Sequence, residues 1–390
     1  MPRIVVIAGE ASGDRLGASF IRSALAQRPD LKIEGVAGPL MRAAGCDAWF
    51  DSQDLAVMGF VDVVRHLPRL LRIKRSVVRR LLADPPDVLL GIDAPDFNLR
   101  VEKVARRAGI RSVHYVCPSV WAWREGRVRV LRRVCDRVLC LLPFEPAFLA
   151  RHGIDGEFVG HPLADEIPFE VNQHEARQRL GIGPGPVVTV MSGSRVSEVE
   201  RLGPYFAQAA AWLNNEVDGI HFVVPAASAE LRVMIESQFD AFAPSARVII
   251  QDGDAHGAIA AGDAVLLASG TASLEAMLLK RPMVVAYRVS AINSFAAKLL
   301  RAIGVLKVIY FSLPNLLANR RLVPEFLQEQ VTAEVLGKNI LSVMQASPQR
   351  DELLATFDQL QTQLRCSAGD RAAHAVLKLA GLLGSGTGGG

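Results

Sequence analysis

Asp93 and Asp96 flank a proline in Gly91-Ile-Asp-Ala-Pro-Asp-Phe-Asn98, directly after the apolar run Val88–Ile92. Two carboxylates on a proline-stiffened turn suit a general base and its orienting partner. The same letters also fit an Asx-type turn in which both aspartates bond backbone. A second acidic turn, Gly9-Glu-Ala-Ser-Gly-Asp14, follows the first apolar run. Its Glu10 is placed to face the same site, and Asp14 reads equally well as a helix cap. Gly193-Ser194-Arg195 comes after Val187–Met191. Glycine lets backbone approach an anion, and serine and arginine hydrogen-bond phosphate oxygens, although an ordinary turn with a solvated arginine has the same composition. Ser269-Gly270-Thr271-Ala-Ser-Leu-Glu275 follows Ala264–Ala268. Its N–H groups offer a second anion nest and Glu275 is placed for ribose hydroxyls; a well-capped helix with an acidic first turn would look the same. Two anion-friendly turns in one half favour a nucleoside diphosphate, and the chemistry they suggest with the acidic turns is group transfer.

These residues need strands to carry them. Two strand–glycine-turn–helix signatures, at Arg3–Asp14 and Val187–Arg195, recur roughly 180 residues apart, and neither is a dinucleotide fingerprint. Each opens a parallel α/β unit. Strands are predicted at Arg3–Ala8, Lys32–Ala37, Val88–Ile92, Ser112–Val116, Arg137–Leu141 and Glu157–Val159 in the first half. The second half has Val187–Met191, His221–Pro225, Arg247–Gln251, Ala264–Ala268 and Met283–Ala286. Helix-length segments alternate with them, which makes the fold class α/β with two Rossmann-like parallel-sheet domains facing a central cleft. The expected division is 1–165, 166–350, and C-terminal helices over 351–383 that cross back to the first domain. Gly160–Pro168, with two prolines, is the crossing, and the glycine-rich 384–390 is a disordered tail.

At 390 residues the chain is too long for one ordinary core. Half of it is hydrophobic, yet no apolar run reaches the roughly 18 residues of a membrane span. The N-terminus reads as a buried first strand and not a signal peptide, so a cytoplasmic protein is expected. A net charge of +4 is too mild to argue for nucleic acid. Five scattered cysteines lack zinc-ligand spacing and read as reduced, packed thiols. Asp252-Gly-Asp254 has the letters of a metal pair and equally of a tight turn; no metal and no cofactor is expected. The positive charge concentrates in Gly59–Leu82, where Phe60, Val61, Val64, Leu67 and Leu71 fall at helical spacing among Arg65, Arg69, Arg72, Lys74, Arg75, Arg79 and Arg80. Pro68 is expected to split this stretch into two helical pieces. Such a basic amphipathic surface can lie on an anionic bilayer, the competing reading being a core helix with a solvated face.

The strings Gly9–Asp14, Ala56-Val-Met-Gly59, Gly91–Asn98, His114-Tyr-Val-Cys-Pro-Ser-Val-Trp-Ala-Trp-Arg124, Leu142-Pro-Phe-Glu145, Ser269-Gly-Thr-Ala272 and Ser312-Leu-Pro-Asn-Leu-Leu317 together resemble the lipid-A-disaccharide synthase family, from about Ile4 to Ala380. The resemblance implies a GT-B fold and an inverting, metal-independent glycosyl transfer. The donor would be UDP-2,3-diacylglucosamine and the acceptor 2,3-diacylglucosamine 1-phosphate (lipid X), at the cytoplasmic face of a Gram-negative inner membrane. By the same resemblance Asp93 is the base, assisted by Glu10. Arg195, with Gly193, Ser194, Ser269, Gly270 and Thr271, holds UDP, and Glu275 binds its ribose. Ser12, Asp96, Asn98, Asn315 and Gln328 line the substrate pocket, the last two on the donor side. Ser192 stands where the family usually has proline, and Cys117 where serine is usual. Another GT-B transferase using UDP-N-acetylglucosamine, a UDP-sugar 2-epimerase and a non-catalytic nucleotide-binding membrane adaptor are the competing readings.

Overall fold

The computed structural model describes residues 1–55, 60–121, 125–289 and 310–383, with backbone alone at 60–66 and 125. The string Ala56–Gly59, the tryptophan-rich residues 122–124 and the tail 384–390 therefore lie outside the described residues. The chain forms two compact units: Met1–Asp165 with the segment from Gln363 onward, and Glu166–Thr362.

In the first unit seven strands are described: β1 Arg3–Ala8, β2 Lys32–Ala37, β3 Asp47–Asp51, β4 Val88–Ile92, β5 Arg111–Tyr115, β6 Arg137–Cys140 and β7 Gly156–Phe158. They pair in parallel in the order β3-β2-β1-β4-β5-β6-β7. β4 is buried throughout and β1 from Ile4 on, as expected of inner parallel strands covered on both faces. The strand order reverses between β1 and β4, which pair Ala8 with Ile92. The Glu10 and Asp93 turns thus leave the sheet side by side, at the kind of switch point where open α/β sheets bind ligands.

The second unit repeats the device. β8 Val187–Met191, β9 His221–Ala226, β10 Arg247–Asp252, β11 Ala264–Ala268, β12 Met283–Tyr287 and β13 Glu325–Leu327 run parallel in the order β10-β9-β8-β11-β12-β13. Its switch point, between β8 and β11, brings the Gly193 and Ser269 turns together. The outer strands β3 and β13 escaped the sequence reading because half-exposed edge strands carry no continuous apolar run.

The C-terminal stretch resolves into two helices. Pro348–Leu364 belongs to the second unit as far as Thr362, where Gln361 Nε2 donates to the Ile167 carbonyl at 2.9 Å. Ala368–Ala380 packs in the first unit, burying Ala372, Val376 and Leu377 in the core of Ile4, Val6 and Phe20. Asp165 caps it, accepting from Ser367 N at 2.9 Å and Ala368 N at 2.7 Å.

Phe60–Ala83 is one continuous helix through Pro68, not two pieces. Pro68 is exposed, so the missing N–H donor falls on the solvent side of the helix. Ile73, Val77 and Leu81 anchor the helix in the core, whereas Leu67 is 41% exposed. No helix among the described residues is long and apolar enough to cross a membrane.

Candidate functional site

The first unit's site grows from the turns after β1 and β4. A Cβ on Gly9 would lie 2.6 Å from the Ala94 Cβ, so glycine is what lets the two turns touch. Glu10 is the extended N-cap of the helix Ala11–Gln27, and Ser12 is exposed in its first turn. Asp14 is a cap, but of another helix. Its oxygens accept from Leu40 N at 2.9 Å and Met41 N at 3.0 Å, at the start of Pro39–Ala43.

Asp93 and Ala94 both adopt left-handed backbone, φ 50° and 41°. Each such non-glycine residue costs on the order of 1 kcal/mol, and consecutive ones mark a site whose geometry is enforced from outside. The enforcement is visible. Asp93 N–H donates to the Tyr115 carbonyl at 2.8 Å, and the Asp93 carbonyl accepts from Asn98 Nδ2 at 2.8 Å. That amide also reaches the Ile7 and Ile92 carbonyls, both at 3.2 Å, clamping the ends of β1 and β4. Asn98 is fully buried, so it holds the turn and does not line a surface. The half-buried Asp93 carboxylate accepts no hydrogen bond among the described residues. Asp96 is exposed and pairs with Arg127 at 2.6 Å. Neither carboxylate bonds backbone among the described residues, so the Asx-turn alternative does not form there.

Beneath this turn lies a pair that the sequence reading missed. Glu102 and His114, both fully buried, meet at 2.8 Å through Oε1 and Nδ1. Burial pushes the imidazolium pKa down, but the charge and hydrogen bond of Glu102, with the Asp93 charge added, more than offset it, so the net shift is upward. Val116, just past β5, is a third strained residue at φ 80°. In the same block the Trp121 indole donates to Glu145 at 3.1 Å. Burial pushes the Glu145 carboxyl up to about 7, against the hydrogen bonds from Leu142 N–H and Trp121.

In the second unit Gly193 (φ 135°) opens the first turn, and a Cβ there would strike Glu198. Glu198 accepts from Ser194 N at 3.0 Å and meets Arg195 at 3.4 Å. Arg195, the N-cap of the helix Val196–Glu216, keeps its side chain 56% exposed. Ser192 is buried beside it. In the neighbouring turn Ser269 Oγ donates to the Phe311 carbonyl at 2.9 Å, leaving Gly270 and Thr271 exposed at the start of Thr271–Leu278. Glu275 lies 3.5 Å from His256 Nε2.

Asn315 and Gln328 spend their amides internally. Asn315 is fully buried. Its Oδ1 accepts from Leu322 N (2.7 Å) and Val323 N (2.8 Å), and its Nδ2 donates to the Val323 carbonyl (2.9 Å) and to Glu325. Glu325 also accepts from Phe311 N, Ser312 N and Ser312 Oγ. Gln328 brackets the backbone of Val289 with both ends of its amide, and its own carbonyl accepts from Arg288, which lies over the Tyr205 ring at 4.2 Å. No sequence signal pointed to Glu325, since its strand is too short to read.

Two buried groups of metal-ligand type occur among the described residues, Glu102/His114/Cys135 and Cys117/Cys140/Glu145. The first is closed on itself, with Cys135 Sγ donating to Glu102 at 3.3 Å. Asp252 and Asp254 serve a turn: Asp254 accepts from Gly257 N at 2.9 Å, and Asp252 pairs with Arg232.

The family model described as lipid-A-disaccharide synthetase matches residues 4–376. The chain is 47% identical over 380 residues to a lipid-A-disaccharide synthase of Xylella fastidiosa (strain M23), covering 97% of this chain and 98% of the relative. It belongs to the lipid-A-disaccharide synthase family. A relative of that name from Pseudomonas putida is also 47% identical, over 96% of this chain and 98% of its own. Among solved structures, the glycotransferase of kitacinnamycin aligns with TM-score 0.60 at 16% identity, over 97% of this chain and 99% of its own. A UDP-GlcNAc 2-epimerase from Neisseria meningitidis aligns with TM-score 0.59 at 11% identity, over 96% and 98%. Both share the fold: two parallel-sheet α/β units of the GT-B kind. The family's chemistry is that of a glycosyltransferase enzyme.

Proposed function

We propose that the enzyme joins UDP-2,3-diacylglucosamine to 2,3-diacylglucosamine 1-phosphate, giving the β-1,6-linked disaccharide 1-phosphate and UDP by a single inverting displacement without metal. The observation that carries this reading is the Asp93 carboxylate, free of hydrogen-bond partners among the described residues and fixed by strained backbone at a switch point. Asp93 takes the proton of the acceptor's 6-hydroxyl as that oxygen attacks the anomeric carbon. The bond from that carbon to the diphosphate breaks with inversion, and Glu10 assists beside Asp93. Arg195 and the exposed helix start at Gly270–Thr271 offset the charge that grows on the departing UDP. Glu275 takes the ribose hydroxyls. A thin-layer assay with both substrates and a chelator tests the reading. A disaccharide phosphate that depends on the acceptor supports it, and an epimerised UDP-sugar formed without acceptor overturns it.

Arg195→Gln removes a charge-assisted contact worth about 1.5–3 kcal/mol. UDP affinity measured by calorimetry is expected to fall by about ten-fold or more, with Tm unchanged because the side chain is exposed.

The site of action is the inner face of the inner membrane, reached by the basic helix Phe60–Ala83. Leu67 is exposed and Leu71 half-buried beside exposed Arg72 and Arg75, while the core contacts belong to Ile73, Val77 and Leu81. Each cation near an anionic surface adds about 1 kcal/mol. Replacing Val64, Leu67 and Leu71 by serine is expected to release the protein from anionic vesicles in a sedimentation assay with Tm unchanged. A large loss of Tm would assign these side chains to the core.

A further inference from the structure

Gly91 and His114 are direct neighbours across β4 and β5. Gly91 has no side chain, and that space is taken by Glu102: an ideal Cβ on Gly91 would lie 2.2 Å from Glu102 Oε1 and 3.0 Å from the Asn98 Cβ. Glu102 and Asn98 stand one turn apart on the helix Pro95–Arg107, so both lie over the last turn of strand before Asp93. Glu102 ties this helix face to His114 on β5, while Asn98 ties it to the carbonyls of Ile7, Ile92 and Asp93. The connection from His114 to Asp93 therefore runs through one rigid helical turn. Replacing a buried ion pair by apolar residues of similar size is often neutral or stabilising, so stability alone is a weak reason for this one. His114 Nε2 and Asn98 Oδ1 are buried without a protein partner among the described residues, so the group is not a saturated structural knot.

We propose that Glu102 and His114 are positioning residues for Asp93: their pair holds the 91–98 turn in its left-handed conformation and sets a balanced charge beneath the reacting carboxylate. This rests on the reading of Asp93 as the base. The groups facing His114 are Glu102 from the helix Pro95–Arg107, Asp93 from the turn and, through Glu102, Cys135 at the end of the helix Val128–Val134. Arg106, a cation that acts on Cys135, is paired with Asp136. His114→Gln leaves Glu102 uncompensated beneath the turn, and Glu102→Gln/His114→Gln restores neutrality with a hydrogen bond still available.

The test measures kcat, donor KM, the pH–rate profile and Tm for both variants, with Asp93→Asn in the same assay. His114→Gln is expected to lower kcat about 100-fold, as small misplacements of a reacting group do, with donor KM within about two-fold. The acid limb of its profile moves to higher pH, because an unbalanced anion lies under the site. The double variant, which leaves no buried charge unpaired, is expected to bring the limb back toward its native position with kcat still reduced. Loss of Tm with native kcat and a native acid limb in either variant overturns the proposal while Asp93→Asn stays inactive, leaving the base assignment intact. An active Asp93→Asn removes the base assignment first, and the positioning role with it.

Discussion

Asp93→Asn is expected to lower kcat by about 10³-fold, some 4 kcal/mol of barrier, with Tm and the affinity for UDP unchanged. Asparagine is the informative replacement because it tolerates the left-handed φ of 50° that the site imposes, whereas alanine adds strain to the loss of the base. The backbone bonds that fix the position, from Asp93 N–H to Tyr115 and from Asn98 to the Asp93 carbonyl, do not involve the altered group. The carboxylate accepts no hydrogen bond among the described residues, so its replacement removes none of the bonds that hold the turn there. Folding and catalysis are thereby separated. Single-turnover kinetics beside a thermal melt check it, and a variant with native turnover would show that another group takes the proton.

Asn315→Ala is expected to act on stability first. It leaves the Leu322 and Val323 N–H groups and the Val323 carbonyl without the Asn315 amide, while the Glu325 oxygen keeps Ser312 N and Ser312 Oγ. Each buried polar group left unpaired costs about 1–3 kcal/mol, and relaxation recovers part of the sum, for a net loss of about 3–5 kcal/mol. Calorimetry is expected to show the melting transition lowered by roughly 10 °C. Any loss of donor affinity should follow from movement of the Ser312–Leu317 segment and be recovered partly at low temperature. A variant with native Tm and weakened donor binding would place the Asn315 amide on the ligand.

What could be read along the chain was local. Continuous apolar runs placed β1, β4, β8 and β11, because a strand covered on both faces must be apolar along its length; a glycine turn follows three of them, and the Asp93-Ala94 turn follows β4. The chemistry-bearing turns after those strands were legible for the same reason. The edge strands β3 and β13 were not, being short and half-exposed.

Polar side chains divided differently. Asp93 and Asp96 look alike in sequence, yet one is half-buried with its carboxylate open and the other is exposed and paired with Arg127. Asn98, Asn315 and Gln328 read as pocket-lining amides, but spend their bonds on backbone and, at Asn315, on Glu325 as well. Asp14 caps a helix that begins at Pro39. A hydrogen-bonding group has the same composition whether it meets a ligand, water or a buried carbonyl. Which of these it meets depends on the strands that become neighbours. The crossovers that set β1 beside β4 and β8 beside β11, and the missing side chain at Gly91 that admits Glu102 to His114, exist only in the folded chain.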